Sequence, residues 1–211
     1  MITQSPEVIV RRNAVWIVLL LAIAASITSV LNGFAFDDIP VVVQDTRFHL
    51  LPDVWRVFGQ PYYPLYGGSL YRPLTSLFLG VEWAVGGGSP LLFHIVSIAL
   101  YAAVCAAVYR LARKLVDADA ALIGASIFAV HPVHVEAVAN IVGQAELGAA
   151  LAVVVGASLY LKWRDQPLRY SRVGALCGLY LCGMMFKEHA VVFPALLAAL
   201  EFNPSDRSRD F

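Results

Sequence analysis

Long apolar runs almost free of charge are what most constrain this chain. Ala14 to Phe36 holds no Lys, Arg, Asp or Glu, and Leu91 to Leu111 meets its first at Arg110. Each is as long as the ~20 residues an α-helix needs to cross the hydrocarbon core of a bilayer. Four further runs follow: Ala118 to Val130, Leu147 to Trp163, Arg172 to Phe186, and Ala190 to Phe202. The Ala118 run is short and ends at His131-Pro132, where proline removes a backbone donor. A polar Lys187-Glu188-His189 step separates the last two runs. Only 14% of the 211 residues are charged and 59% are hydrophobic, against about 25% charge in soluble domains. The expected fold is therefore an all-α membrane protein, a polytopic helical bundle of five to six passes in one transmembrane domain. Its parts are a first span over 13–36, an outer loop over 37–90, the remaining spans over 91–202, and a cytoplasmic tail over 203–211.

Arg11 and Arg12 before an apolar run also suit a signal peptide, but a signal core is only about 7–15 residues. The run reads as an uncleaved first helix. The 15 basic and 15 acidic side chains cancel, leaving no net field to recruit nucleic acid. Cys105, Cys177 and Cys182 are an odd count inside apolar stretches. They read as buried, inert thiols rather than a disulfide framework.

The basic residues set the expected orientation. With the N-terminus cytoplasmic, eleven of the fifteen Lys and Arg fall inside, and only Arg47, Arg56, Arg72 and Lys187 fall outside. This satisfies the positive-inside rule. All five histidines then lie on or near the outer side, with Asp37, Asp38, Asp45, Asp53, Glu82, Glu136, Glu146 and Glu188. Titratable groups gathered from several segments at one membrane face point to a site there.

The loop over 37–90 is too long for an idle connection. Phe48, Leu51, Trp55 and Phe58 recur at helical spacing with Arg47, Asp53 and Arg56 between them, the pattern of a helix in the interface plane. Leu74 to Val85 repeats it less clearly. The aromatic turn between them, from Gln60 through Tyr62, Tyr63 and Tyr66 to Ser69, reads as an anchor at headgroup level.

Several groups are candidates for chemistry. Asp37 and Asp38 close the first span; such a pair can coordinate a cation, deprotonate a hydroxyl, or simply hydrate a helix end. Arg72, in Tyr71-Arg72-Pro73-Leu74, offers a guanidinium fork to a phosphate or snorkels to headgroups. His131 and His134 share a helix face, with Glu136 beyond them. Their order is not that of a zinc helix and no third ligand is evident, so orienting a phosphate or sugar hydroxyl, or plain capping, is the better reading. Glu146 opens a span, an expensive place for an acid. Lys187 is positioned to meet a phosphate or to pair with Glu188.

In this order, the elements resemble one family. The Asp-Asp boundary and Tyr-Arg-Pro-Leu-Thr-Ser come first, then Phe93-His94 and His-Pro-x-His-x-Glu-Ala-Val. Gly-x-x-Glu-Leu and Lys-Glu-x-Ala-Val-x-Phe-Pro complete the series. It resembles the membrane region of the transmembrane and tetratricopeptide-repeat O-mannosyltransferase-like proteins and their bacterial relatives, of the GT-C class. The resemblance covers about Phe34 to Leu200. It implies transfer of a sugar from a polyprenyl-phosphate carrier to an acceptor on the outer side, in an integral protein of the bacterial inner membrane. Asp37 or Asp38 would be the acidic residue at the catalytic position, with Glu146 the runner-up base. Arg72, His131, His134, Glu136 and Lys187 would bind substrate. No cofactor is implied and a divalent metal is not favoured; the partners are the lipid-linked sugar, membrane lipids and other membrane proteins. Such enzymes continue with further helices and with repeats of ~34 residues, and no repeat of that period is visible in these 211 residues. The alternative is thus an inactive or truncated membrane subunit of a larger complex.

Overall fold

The structure, a computed structural model, describes residues 6–49, 51–63 and 68–202; the side chains of residues 6–12, 48 and 51–54 are outside the description. The expected tail, the loop residues Tyr66 and Gly67, and the side chains of Arg11, Arg12, Phe48, Leu51 and Asp53 thus lie outside the described residues. The described residues hold eight α-helices and no strand. These are α1 (Pro6–Ser26), α2 (Pro73–Gly86), α3 (Pro90–Leu115), α4 (Ala118–Val130), α5 (Val135–Ala139), α6 (Gln144–Trp163), α7 (Tyr170–Phe186) and α8 (Phe193–Glu201).

Three stretches are long and apolar enough to span a bilayer: Asn13–Leu31, Pro90–Leu115 and Ile141–Trp163. A fourth is a bent pair, Ala118–Val130 with Pro132–Ala139, turned by 49° at the break. The bend has a local cause. His131 is extended ahead of Pro132 (φ −71°, ψ 129°), and its Nδ1 accepts from the Val133 N–H at 3.2 Å, restarting the helix. The carbonyls of Phe128 and Ala129, at the break, lie 3.1 and 3.0 Å from the Tyr101 hydroxyl, whose one proton they share, and the Phe128 carbonyl also accepts from the His131 N–H at 3.3 Å. At 17 and 9 residues, α7 and α8 are shorter than a full crossing.

Packing follows small residues. Ala14, Val18 and Ala22 on α1 and Ala121, Ala125 and Ala129 on α4 each recur every four residues, and all six are buried. Each row is one stripe of its helix. Small side chains let the two backbones approach closely, the main source of helix association in lipid. Glycine does the same between α6 and α7: a Cβ on Gly148 would sit 2.4 Å from the Phe186 ring.

The segment between α1 and α3 builds a second core of Val41, Val42, Val57, Tyr62 and Leu79, closed by Phe93 of α3 and by Ile141. The segment expected as an interfacial helix forms tight 3-10 turns at Thr46–Phe48 and Leu51–Gly59 rather than an α-helix. Trp55 is exposed, while Val57 is buried. The second segment expected at the interface forms α2. It starts on Pro73, whose missing N–H costs nothing there, and stops at Gly87 in the left-handed region (φ 60°). The anchor reading of the aromatic turn is corrected for Tyr62, which is only 2% exposed and faces the loop core. The thiol reading is corrected for Cys177, which faces outward from α7; only Cys105 is fully buried.

Candidate functional site

The two aspartates at the end of the first span have different fates. Phe36, just before them, adopts φ 47° and is 91% exposed, an uncommon conformation for a residue with a Cβ. After this turn Asp37 is exposed, whereas Asp38 is completely buried. The Asp38 carboxylate accepts from the backbone N–H of Ala35 (3.2 Å) and of Val142 (3.0 Å). It therefore fastens the first span to the turn that opens α6. Burial pushes its pKa up, and the N–H groups of Val142 and Ala35 oppose that shift.

Asp37 lines a cleft of about 430 Å³ with Tyr62, Arg72, Glu136, Asn140, Glu146 and Lys187 among its walls. Five of the eight residues singled out from sequence, Asp37, Arg72, Glu136, Glu146 and Lys187, thus share one cavity. Asp38 lies behind it. His131 and His134 lie elsewhere, in a separate pocket of about 290 Å³ between the C-terminal end of α1 and the α4–α5 break. There the His134 ring packs on Phe128 at 4.2 Å and Tyr101 at 5.6 Å.

The cleft's cations and acids are paired crosswise. Arg72 does not snorkel; its guanidinium grips Glu188 in a fork, Nε to Oε2 at 2.9 Å and Nη2 to Oε1 at 2.5 Å. Burial works against the Arg72 charge, but Glu188 outweighs it and raises the arginine's pKa. In return, Arg72 pulls Glu188 down to about 2. Lys187 does not pair with its neighbour Glu188. It reaches across to Glu146, which His189 also approaches at 3.3 Å. Two elements set this arrangement: Arg72 caps the start of α2, and the Lys187–His189 step lies between α7 and α8. The Thr75 hydroxyl joins them by donating to the Phe186 carbonyl at 2.7 Å.

Three residues at the site were not singled out in the sequence. Glu188 positions Arg72. Tyr62 lies under the Arg72 guanidinium, 5.1 Å from ring centroid to the guanidinium carbon. Asn140 lines the cleft with its Oδ1 buried and unpartnered. None announces itself in sequence, because each acquires its role from a distant segment. Beside the cleft, Glu82 is buried next to Gln144, whose Nε2 donates to it at 2.9 Å. Burial raises its pKa to about 8, despite that bond. Among the described residues no three His, Cys, Asp or Glu side chains are grouped to hold a metal ion.

The sequence pattern of the dolichyl-phosphate-mannose-protein mannosyltransferases matches residues 71–209. The chain belongs to this family. Among its relatives, Protein O-mannosyl-transferase Tmtc2 of Drosophila melanogaster is 36% identical over 140 residues, 63% of this chain and 15% of that protein. Protein O-mannosyl-transferase TMTC2 of Mus musculus is 31% identical over 193 residues, 86% of this chain and 23% of the relative. Protein O-mannosyl-transferase TMTC1 of Mus musculus is 31% identical over 206 residues, covering 85% and 21%. The chain thus spans less than a quarter of the length of these relatives. No solved structure matches it. Together with the spanning helices, the family membership makes this an integral membrane protein of the O-mannosyltransferase-like type.

Proposed function

We propose that this chain is the membrane region of a GT-C glycosyltransferase that moves a sugar from a polyprenyl-phosphate carrier to an acceptor outside the membrane. The observation that carries the reading is one cleft lined by an exposed carboxylate, Asp37, and two cations, Arg72 and Lys187. The family and its relatives, named for dolichyl-phosphate mannose and protein O-mannosyl transfer, make mannose the sugar and a protein hydroxyl the acceptor to test first. The orientation in this proposal is N-terminus cytoplasmic, in a bacterial inner membrane, with α7 and α8 as incomplete passes that bring the count to five to six.

In the proposed step, Asp37 takes the proton of the acceptor hydroxyl as its oxygen bonds to the sugar's anomeric carbon. The bond from that carbon to the phosphate oxygen breaks, and the phosphate leaves with an added negative charge. Arg72 and Lys187 stabilise that charge where it develops. Asp37 suits the base better than Asp38, whose oxygens are engaged by backbone N–H groups. It also suits better than Glu146, which holds Lys187. A base positioned in this way is worth ~10²–10⁴-fold.

The test is release of polyprenyl phosphate from polyprenyl-phosphate mannose by the full-length protein. Asp37→Asn should cut turnover by about 10² or more, the range for general-base loss, while leaving carrier binding intact. Turnover of Asp37→Asn at the unmutated rate would remove Asp37 as the base, and absence of turnover in the unmutated full-length protein would favour the alternative, an inactive membrane subunit.

A further inference from the structure

Tyr62 carries a hydroxyl for which the described residues supply no acceptor. Its ring sits in the second core with Val41, Val57, Leu79 and Phe93, where a phenylalanine would pack equally well. The hydroxyl is different. A buried O–H without an acceptor costs free energy, and a core tyrosine ordinarily reaches a partner. Tyr62 is only 2% exposed, and among the described residues no group accepts from its Oη. Burial pushes the phenol's pKa well above its ordinary value, against the pull of Arg72, with the carboxylates of Asp38 and Asp37 adding to the rise. At neutral pH the group is a donor.

Its surroundings indicate what it would donate to. Tyr62 is among the residues that line the cleft with Asp37, Arg72 and Lys187. The guanidinium of Arg72 stacks over it, so a cation is held beside the spare donor. Asp37 lines the same cleft yet does not take the bond. A neutral donor next to a cation is complementary to an oxygen that carries negative charge.

Resting on the lipid-phosphate reading above, we infer that Tyr62 is a binding residue whose hydroxyl donates to a non-bridging phosphate oxygen of the carrier, alongside Arg72. Tyr62→Phe isolates this role, since it keeps the ring, its packing and the arginine stack and removes one oxygen.

The experiment measures binding of polyprenyl-phosphate mannose to the full-length protein in nanodiscs of neutral phosphatidylcholine, with thermal unfolding in parallel. Tyr62→Phe should weaken carrier binding about tenfold, the loss expected for one hydrogen bond to a charged group, with no fall in thermal stability. Unchanged affinity in Tyr62→Phe, beside weakened affinity in Arg72→Ala, would overturn the inference while leaving the wider reading standing. A lowered unfolding temperature would also overturn it, by revealing a structural partner. So would a defect seen only in anionic phosphatidylglycerol nanodiscs, because the oxygen would then belong to a bulk headgroup. Failure of the unmutated protein to bind the carrier at all would remove the wider reading and this inference with it.

Discussion

Replacing Asp38 with asparagine separates the structural from the chemical member of the Asp37-Asp38 pair. Asp38 is fully buried and offers two oxygens to two backbone donors, Ala35 N–H and Val142 N–H. Asparagine has one oxygen, and its NH₂ must face the other N–H. One buried donor is left unsatisfied, a loss of about 1–3 kcal/mol. For a chain of this size, ~2 kcal/mol lowers the unfolding temperature by roughly 4–8 °C. The assay is thermal unfolding of the detergent-solubilised protein, with Asp37→Asn as the control. Asp37 is exposed to the cleft, so its amide should unfold at the unmutated temperature. Equal unfolding temperatures for both variants, or a larger fall for Asp37→Asn, would refute the division of roles.

Two further outcomes follow from the same geometry. Glu82, with an ordinary value of 4.5 raised to about 8, binds a proton in the folded state that the unfolded chain releases. Its contribution is therefore complete below about pH 4.5 and is lost as pH rises through about 8; Glu82→Gln should flatten the decline in stability between about pH 4.5 and 8, and an unchanged decline would argue against a protonated Glu82. For topology, single cysteines at Ser69 and Ser171, in a chain with Cys105, Cys177 and Cys182 replaced, should label from opposite sides of the membrane; labelling from one side would remove the orientation.

Much of the architecture was legible because it depends on local chemistry. The apolar runs located the long helices, and Pro132 located the bend, since a missing donor acts on its own turn. The helical turns over 46–59 were legible in position but not in type, because 3-10 and α turns share composition over such short lengths. The site was legible in part. Arg72, Lys187, Glu146 and Asp37 stood out as charges at an apolar boundary. Their pairing did not: Arg72 meets Glu188 across 116 positions and Lys187 meets Glu146 across 41, so only the packing of α2, α6 and α7 brings them together. Nor could the sequence distinguish adjacent aspartates, whose opposite directions depend on the backbone turn at Phe36 and on Val142. The histidines show the same limit. Their spacing placed them on one helix face, but the bend at Pro132 turns that face toward α1 and away from the cleft.

That separation supplies the most direct test of the central claim, that the cleft of Asp37, Arg72 and Lys187 holds the carrier's phosphate. The measurement is the affinity of the full-length protein, in neutral nanodiscs, for polyprenyl-phosphate mannose in the Arg72→Ala, Lys187→Ala and His131→Ala variants. Removing either cation should weaken binding by about tenfold or more, as for loss of a charge-assisted contact, while His131→Ala should bind as the unmutated protein does. Loss of affinity in His131→Ala with full binding in Arg72→Ala and Lys187→Ala would contradict the account and move the phosphate to the other pocket.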